Sequence, residues 1–396
     1  MMKKITSLLF LGVLASSLFA QQYEATEKSR FTLLSCTSGP DLYSIFGHTA
    51  IRFEDEINGN MVDIVYNYGT FEFSDDFYWK FAQGKLDYKL SMDDFSSFQQ
   101  EYIYTGRGIY EQELLLSLAE KKELFRLLQE NYKPENRVYR YDFFYDNCAT
   151  RVRDIIVKAV DRPVSFTYEY DRAYTFRQAI QRYLDHMPWS DFGIDLALGI
   201  PCDRKMEKGQ AMFLPDSLML EFNYATAGDG ALVSPAVEML PAEYELGDDS
   251  LYTPMNVFGF FLILQIFFGW WKSKSGKLNT PLDRLLLFIT GLVGVMVVFL
   301  WFFTDHTATK WNLNLLWANP VYLIFAFISW NKKWVKQTFM VLTIIDLFLV
   351  VCWFFLPQSF HLATLPIVIG LIYIGLRQWR PGFFIQPSLG TKSKTL

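Results

Sequence analysis

Four histidines and four cysteines are spread over 396 residues, and two of these eight sit in local patterns suited to covalent chemistry. Cys148 occurs in Tyr141-Asp142-Phe143-Phe144-Tyr145-Asp146-Asn147-Cys148-Ala149-Thr150-Arg151. Asp146 or Asn147 is a good N-cap, which places Cys148 in the first turn of a helix. A helix N-terminus carries partial positive charge and free backbone N–H groups, which favour a thiolate and can receive an oxyanion. His48 occurs in Ser44-Ile45-Phe46-Gly47-His48-Thr49-Ala50-Ile51-Arg52-Phe53, at the head of a strand. An imidazole beside a thiol is its natural base, and the pair points to acyl transfer. Taken singly, each residue has a plainer reading as a structural or disulfide cysteine and a packed strand histidine.

The hairpin that carries His48 suggests a third member. His48–Glu54 and Met61–Tyr68 read as strands joined around Asn58-Gly59, a strong turn signal. A two-residue turn makes paired residue numbers sum to 117, which sets His48 opposite Gly69 with Asn67 as its diagonal neighbour on the same face. Asn67 would then hold the imidazole in the tautomer that accepts a thiol proton. Asp63 shares the face farther along, and a one-residue slip would bring Tyr66 or Tyr68 there instead. Tyr43 is a candidate oxyanion donor or simply a packing residue. Arg151 and Arg153 are candidate phosphate ligands near the thiol or parts of a solvated helix face. Cys36 and Cys202, the other exported cysteines, are a candidate disulfide that would leave Cys148 free.

These residues need elements to position them. Phe31–Cys36 is a strand candidate followed by a turn at Ser38-Gly39-Pro40-Asp41. Leu118, Leu124, Leu127 and Leu128 give Ser117–Tyr132 a helical period, and Val138–Phe144 has the aromatic character of a strand. The helix begun near Asn147 should run to about Val160 and bury Val152, Ile155, Ile156 and Ala159. Thr175–Leu184 and Pro215–Phe222 are further helices, and 92–104 is ambiguous.

A net charge of −5 gives no support for binding nucleic acid through a basic surface. The sequence has no P-loop, dinucleotide fingerprint or Cys-x-x-Cys metal pattern, so no cofactor or metal is called for. Residues 1–20 read as a secretory signal, with Lys3 and Lys4, an apolar Leu8–Leu14 core, and Ala20 before the cut. An uncleaved anchor is the other reading, and either one exports residues 21–250. After a polar linker at Pro241–Asp249, apolar runs near 254–271, 285–303, 315–330, 338–356 and 360–376 approach bilayer length. Alternate loops hold Lys272, Lys274, Lys277, Arg284, Lys332, Lys333, Lys336, Arg377, Arg380, Lys392 and Lys394, whereas the other two hold only Lys310. The basic loops are therefore cytoplasmic, and residues 21–250 and the Thr304–Asn314 loop face outward. In that polar outer loop His306 is a candidate head-group ligand, with a solvated loop as the plainer reading. Asp346, costly at mid-span, should face other helices.

Phe46-Gly47-His48, followed about a hundred residues later by Asn147-Cys148, resembles the permuted papain-like (NlpC/P60 superfamily) arrangement, in which His precedes Cys. More narrowly the chain resembles the Lnb-type lipoprotein N-acyltransferases of Bacteroides-like bacteria. That likeness extends to Thr175-Phe176-Arg177, Met212-Phe213-Leu214-Pro215 and Trp317-Ala318-Asn319-Pro320. The resemblance implies an α+β, papain-like exported domain (21–250), an all-α bundle of five transmembrane helices (251–380) and a cytoplasmic tail (381–396). It also implies that Cys148 and His48 pass an acyl chain from a phospholipid, through a thioester, to the α-amine of a diacylated lipoprotein. The alternative is a membrane-anchored cysteine peptidase or amidase acting on cell-wall peptides. A membrane scaffold or transporter fits less well, because few ionisable residues lie within the spans.

Overall fold

The computed structural model describes residues 23–379 except 58, 72–74, 169–173, 244–250, 276 and 277. The expected signal segment, most of the linker and the C-terminal tail lie outside the described residues. The rest is a mixed α/β N-terminal domain followed by a helical membrane region.

The N-terminal domain is organised by an antiparallel sheet. In chain order its strands are β1 (Arg30–Cys36), β2 (His48–Ile57), β3 (Asn60–Thr70), β4 (Asp87–Asp94), β5 (Ile109–Glu113) and β6 (Val138–Arg140). Two-residue strands β7 (Val164–Ser165), β8 (Thr226–Ala227) and β9 (Gly230–Ala231) form a separate small sheet, and β10 (Val237–Leu240) rejoins the first. The spatial order is β10-β5-β1-β2-β3-β4-β6. β2 and β3 pair as Ile51 with Tyr66 and Ile57 with Asn60, which is the register a two-residue turn demands. Gly59 supplies the left-handed φ of +77° that this turn needs.

One face of the sheet carries Phe31, Leu33, Ile51, Phe53, Tyr66 and Tyr68 in the main core. Against it lie the helices Leu118–Tyr132 and Cys148–Ala159. The first opens on a reciprocal capping box between Ser117 and Glu120, and its apolar period buries Leu124, Leu127 and Leu128. The second buries Val152, Ile155, Ile156 and Ala159, as its spacing predicts. The 92–104 stretch resolves into the end of β4 and a helix, Phe95–Thr105, that covers the other face with Phe95, Phe98 and Tyr102. The strand expected over Val138–Phe144 is only three residues long, because Asp142 closes a tight turn by accepting the N–H groups of Phe144 and Tyr145.

Among the described residues, three helices are long and apolar enough to cross a membrane: Pro254–Ser273, Pro281–Phe302 and Lys333–Val351. The helix Thr364–Trp379 is shorter, and the expected span at 315–330 is not a continuous helix. It runs as a 3-10 turn (Leu313–Leu316), an irregular Trp317–Pro320 stretch and a five-residue helix (Val321–Phe325). Pro320 lacks an N–H and cannot continue a helix begun before it. Irregular backbone is tolerated at this depth only where protein covers it. Gly291 and Gly294 of the neighbouring helix provide that cover, since a Cβ at either would collide with the backbone of Ala318–Leu323. The broken segment still crosses from one end of the bundle to the other. Asn312 and Asn314 hold its start against the N-terminal domain, and Arg284 donates to Ala326 O (2.7 Å) at its far end.

Asp346 is fully buried and accepts a hydrogen bond from Tyr322 (3.2 Å), so it does face other helices. Arg377 is not a loop charge. It lies buried within Thr364–Trp379, 2.6 Å from Asp283, and the charge asymmetry of the loops survives without it.

Candidate active site

The backbone is arranged to bring strand β2 and the Cys148 helix together at one end of the sheet. Gly47 turns the chain into β2 at φ +79°, and a Cβ there would strike Cys36 O at 2.7 Å. This accounts for glycine between Phe46, which packs on Phe143 and Tyr183, and His48. Asn147 caps the helix that starts at Cys148. Its Oδ1 accepts the Thr150 N–H (2.9 Å), while its Nδ2 donates to the carbonyls of Phe143 and Phe213 (2.8 Å each). The last bond ties the Met212-Phe213-Leu214-Pro215 motif to the site.

His48 Nε2 lies 2.6 Å from Asn67 Oδ1. An amide oxygen can only accept, so Nε2 carries the hydrogen and Nδ1 keeps its lone pair. Gly69 lies beside both the base and the thiol. A Cβ placed on it would lie in ordinary contact with both, 3.4 Å from Cys148 Cβ and 4.0 Å from His48 Cε1. Gly69 also holds φ at +89°, which suits glycine on its own account.

Electrostatics corrects one expectation. The helix start was expected to favour a thiolate, and the N–H groups of Thr49, Ala149 and Cys148 do lower the thiol's pKa. Burial outweighs them and raises it above the ordinary value. Burial likewise lowers His48 to about 4, against the opposing effect of Asn67. The pair therefore rests as neutral thiol and neutral imidazole, and the base is free to accept a proton throughout the neutral range.

The other candidate residues lie elsewhere. Cys36 and Cys202 are free thiols in separate apolar clusters, which corrects the expected disulfide. Cys36 hydrogen-bonds Tyr102, and Cys202 donates to Ala308 O (3.5 Å). Tyr43 is 74% exposed and turned to Asp41. Arg151 is committed to Asp146 through two bonds (2.6 and 2.8 Å) and stacks over Tyr139 (3.6 Å), which leaves it poorly placed for a phosphate. Arg153 pairs with its neighbour Asp154 (2.7 Å). Asp63 is bound by Arg52 (2.7 and 2.8 Å), and Tyr66 and Tyr68 take hydrogen bonds from Gln129 and Asn131 in the core. His306 donates to Phe81 O (3.0 Å) and packs on Gly84, so it docks the outer loop instead of waiting for a head group.

Two features escaped the sequence reading. Tyr139 has a buried hydroxyl without a hydrogen-bond partner among the described residues, 3.9 Å from the point a Gly69 Cβ would occupy. Its spacing before the Asn147-Cys148 motif was the available signal, obscured by the surrounding run of aromatics. The second is the seam with the membrane helices. Asn312 Nδ2 donates to Leu196 O (2.8 Å), Gln358 Nε2 to Leu198 O (3.3 Å), and the Ser359 N–H to Asp203 (3.1 Å). Behind these contacts, fully buried Arg177 binds Asp195 (2.7 Å) and Asp203 (3.0 Å). Among the described residues no group of three or more His, Cys, Asp or Glu side chains gathers as a metal site.

The chain matches the Lnb N-terminal periplasmic domain over residues 17–182 and the Lnb transmembrane domain over residues 247–377. No curated protein and no solved structure matches it. With the apolar helices, the two matches make the chain a multi-pass membrane protein whose N-terminal domain is periplasmic.

Proposed function

Because the chain belongs to the Lnb family and carries both its periplasmic and its transmembrane domain, we propose that it is a lipoprotein N-acyltransferase working through a thioester on Cys148. The observation that carries this reading is the arrangement of Cys148 at a helix start, His48 bound to Asn67, and Gly69 packed beside both thiol and base.

In the first step Cys148 Sγ attacks the carbonyl of a phospholipid ester while His48 Nδ1 takes the thiol proton. The carbonyl oxygen gains negative charge, for which the N–H groups at the helix start are available. The C–O bond then breaks, and the imidazolium returns its proton to the leaving lysophospholipid alcohol. In the second step the free α-amine of a diacylglyceryl-cysteine lipoprotein attacks the thioester. His48 accepts a proton from the amine, the C–S bond breaks and Cys148 recovers its proton. Splitting the transfer lets one pocket handle two lipid substrates in turn.

The rigid seam between domain and membrane helices supports a substrate that stays in the bilayer. Each buried CH₂ contributes about 0.8 kcal/mol to retention, so acyl chains of ordinary length do not leave freely. A peptidase acting on soluble wall fragments would have no use for such docking. The test is a reconstituted reaction of full-length protein, phospholipid vesicles and a synthetic diacylated lipopeptide, analysed by mass spectrometry. The peptide should gain one acyl chain on its α-amine, and Cys148→Ala should give none. Acylation by the Cys148→Ala protein would refute the proposal.

A further inference from the structure

The short helix Phe77–Ala82, in the connection from β3 to β4, sits against the outer end of the Pro281–Phe302 helix. Trp79 stacks on Phe299 with ring centroids 5.8 Å apart and planes 28° from parallel. Phe299 belongs to a stripe of residues with Leu285, Ile289, Leu292, Val295, Met296 and Phe303, spaced three to four apart on one side of that helix. Apart from half-buried Phe299, every member is exposed, so the stripe is the surface this helix offers to lipid. Trp79 therefore caps a lipid-facing stripe at the level where aromatic side chains favour the membrane interface. Trp79 and Phe81 are themselves 58% and 56% exposed, which is unusual for large apolar groups unless lipid covers them.

The outer loop fixes this helix in place. His306 donates to Phe81 O, the Asp305 N–H donates to Gln83 O (2.9 Å), and Gly84 leaves room for the imidazole. The same connection begins at an aromatic wall. Phe71, just after β3, packs edge-on against Tyr88 (5.3 Å), and Tyr88 stacks on Tyr141 (4.1 Å). Phe71 follows two residues after Gly69, whose Cβ would lie 3.4 Å from Cys148 Cβ, and Tyr88, Tyr141 and Cys148 all pack against the main core.

We propose that the acyl chain of an outer-leaflet phospholipid climbs the exposed stripe of the Pro281–Phe302 helix beneath Trp79 and Phe81, and reaches Cys148 along the wall formed by Phe71, Tyr88 and Tyr141. The occupant is a lipid chain because the stripe lies on a helix long and apolar enough to span a membrane, and Trp79 and an aromatic wall stand at its outer end. This inference rests on the acyl-transfer reading for its purpose, but its geometry can be tested without the chemistry.

The experiment uses full-length protein in phosphatidylethanolamine vesicles, with a benzophenone amino acid at position 79. Position 104 serves as control, since Tyr104 is 89% exposed and lies on the Phe95–Thr105 helix, away from the seam. Lipid crosslinks at 79 should exceed those at 104 at least about tenfold, both in the parent and in a Cys148→Ala background. Equal yields at the two positions would overturn the route. Crosslinking at 79 in a protein whose Cys148 never becomes acylated would keep the route and overturn the acyl-transfer reading instead. As a second arm, Trp79→Asp should slow Cys148 acylation from vesicle phospholipid about tenfold relative to acylation by a short water-soluble ester, since losing one large apolar contact weakens binding by about that factor. An equal loss with both esters would make the helix a mere structural support and refute the proposal.

Discussion

The membrane seam and the candidate site of the N-terminal domain are both polar, yet they are built on opposite plans. At the membrane seam Arg177 spends its donors on Asp195, Asp203 and the carbonyls of Asp195 and Leu198, and Asp203 passes the connection on to Ser359. At the site, one side-chain bond fixes His48, and the Tyr139 hydroxyl is left unmatched. Buried charge satisfied on every side makes a rigid joint, whereas neutral groups left partly unsatisfied keep capacity for an incoming substrate. On the proposed function, the seam would hold the site in a fixed relation to the membrane helices, and the groups at the site would stay available for chemistry.

The comparison breaks most visibly if each plan is disturbed in turn. His48→Ala should lower acyl transfer about 10²–10⁴-fold, because a positioned acid–base typically contributes that much. Its thermal unfolding should stay close to the parent's. A similar loss from unfolding would show that His48 is a structural residue. Arg177→Ala should behave in the reverse manner. Removing one member of a buried ion network costs about 3–5 kcal/mol by leaving the remaining charges uncompensated, and denaturant unfolding would register it. Activity should fall only as far as folded protein does.

The pH response sharpens the same contrast. With the folded pKa of His48 lowered to about 4, the acid limb of activity should lie near that value instead of near the ordinary histidine value. Alkylation of Cys148 by iodoacetamide should rise only on the alkaline side, as a raised thiol pKa requires. A thiol reacting at full rate at pH 6 would mean an ion pair at rest. The same sign applies to stability. Unfolding releases His48 to its ordinary pKa, so the unfolded state binds more protons between about 4 and 6.5, and stability should decline as pH falls through that window. The smallest stability effect belongs to Tyr139→Phe. It removes a buried hydroxyl that has no partner among the described residues, so the melting temperature should stay unchanged or rise while acyl transfer falls.

Much of this is legible in the sequence. The Asn58-Gly59 turn fixes one register, and that register alone sets Asn67 beside His48. Asn147 announces the helix start through local cap chemistry, so the place of Cys148 follows from four residues. What stayed hidden depends on distant partners. β4, β5 and β10 find their places only by long-range pairing, and their sequences carry weak alternation. The thiol's resting state turned on a balance between helix N–H groups and burial, and sequence displays only the first. Pro320 in an apolar run did signal a break, yet hydropathy counts composition and passes over backbone geometry. The outer loop's polarity suggested ligand binding because sequence does not show that Asn312, Asn314 and His306 spend their donors on backbone carbonyls of the N-terminal domain.

The most direct test of the central claim is the intact mass of full-length protein incubated in phospholipid vesicles without any lipoprotein acceptor. The account predicts a species heavier by one acyl chain, located on Cys148 by peptide mapping and removed by neutral hydroxylamine. With no amine to receive the chain, the thioester should accumulate. A protein that remains unmodified under these conditions, or whose acyl adduct maps to a residue other than Cys148, would contradict it.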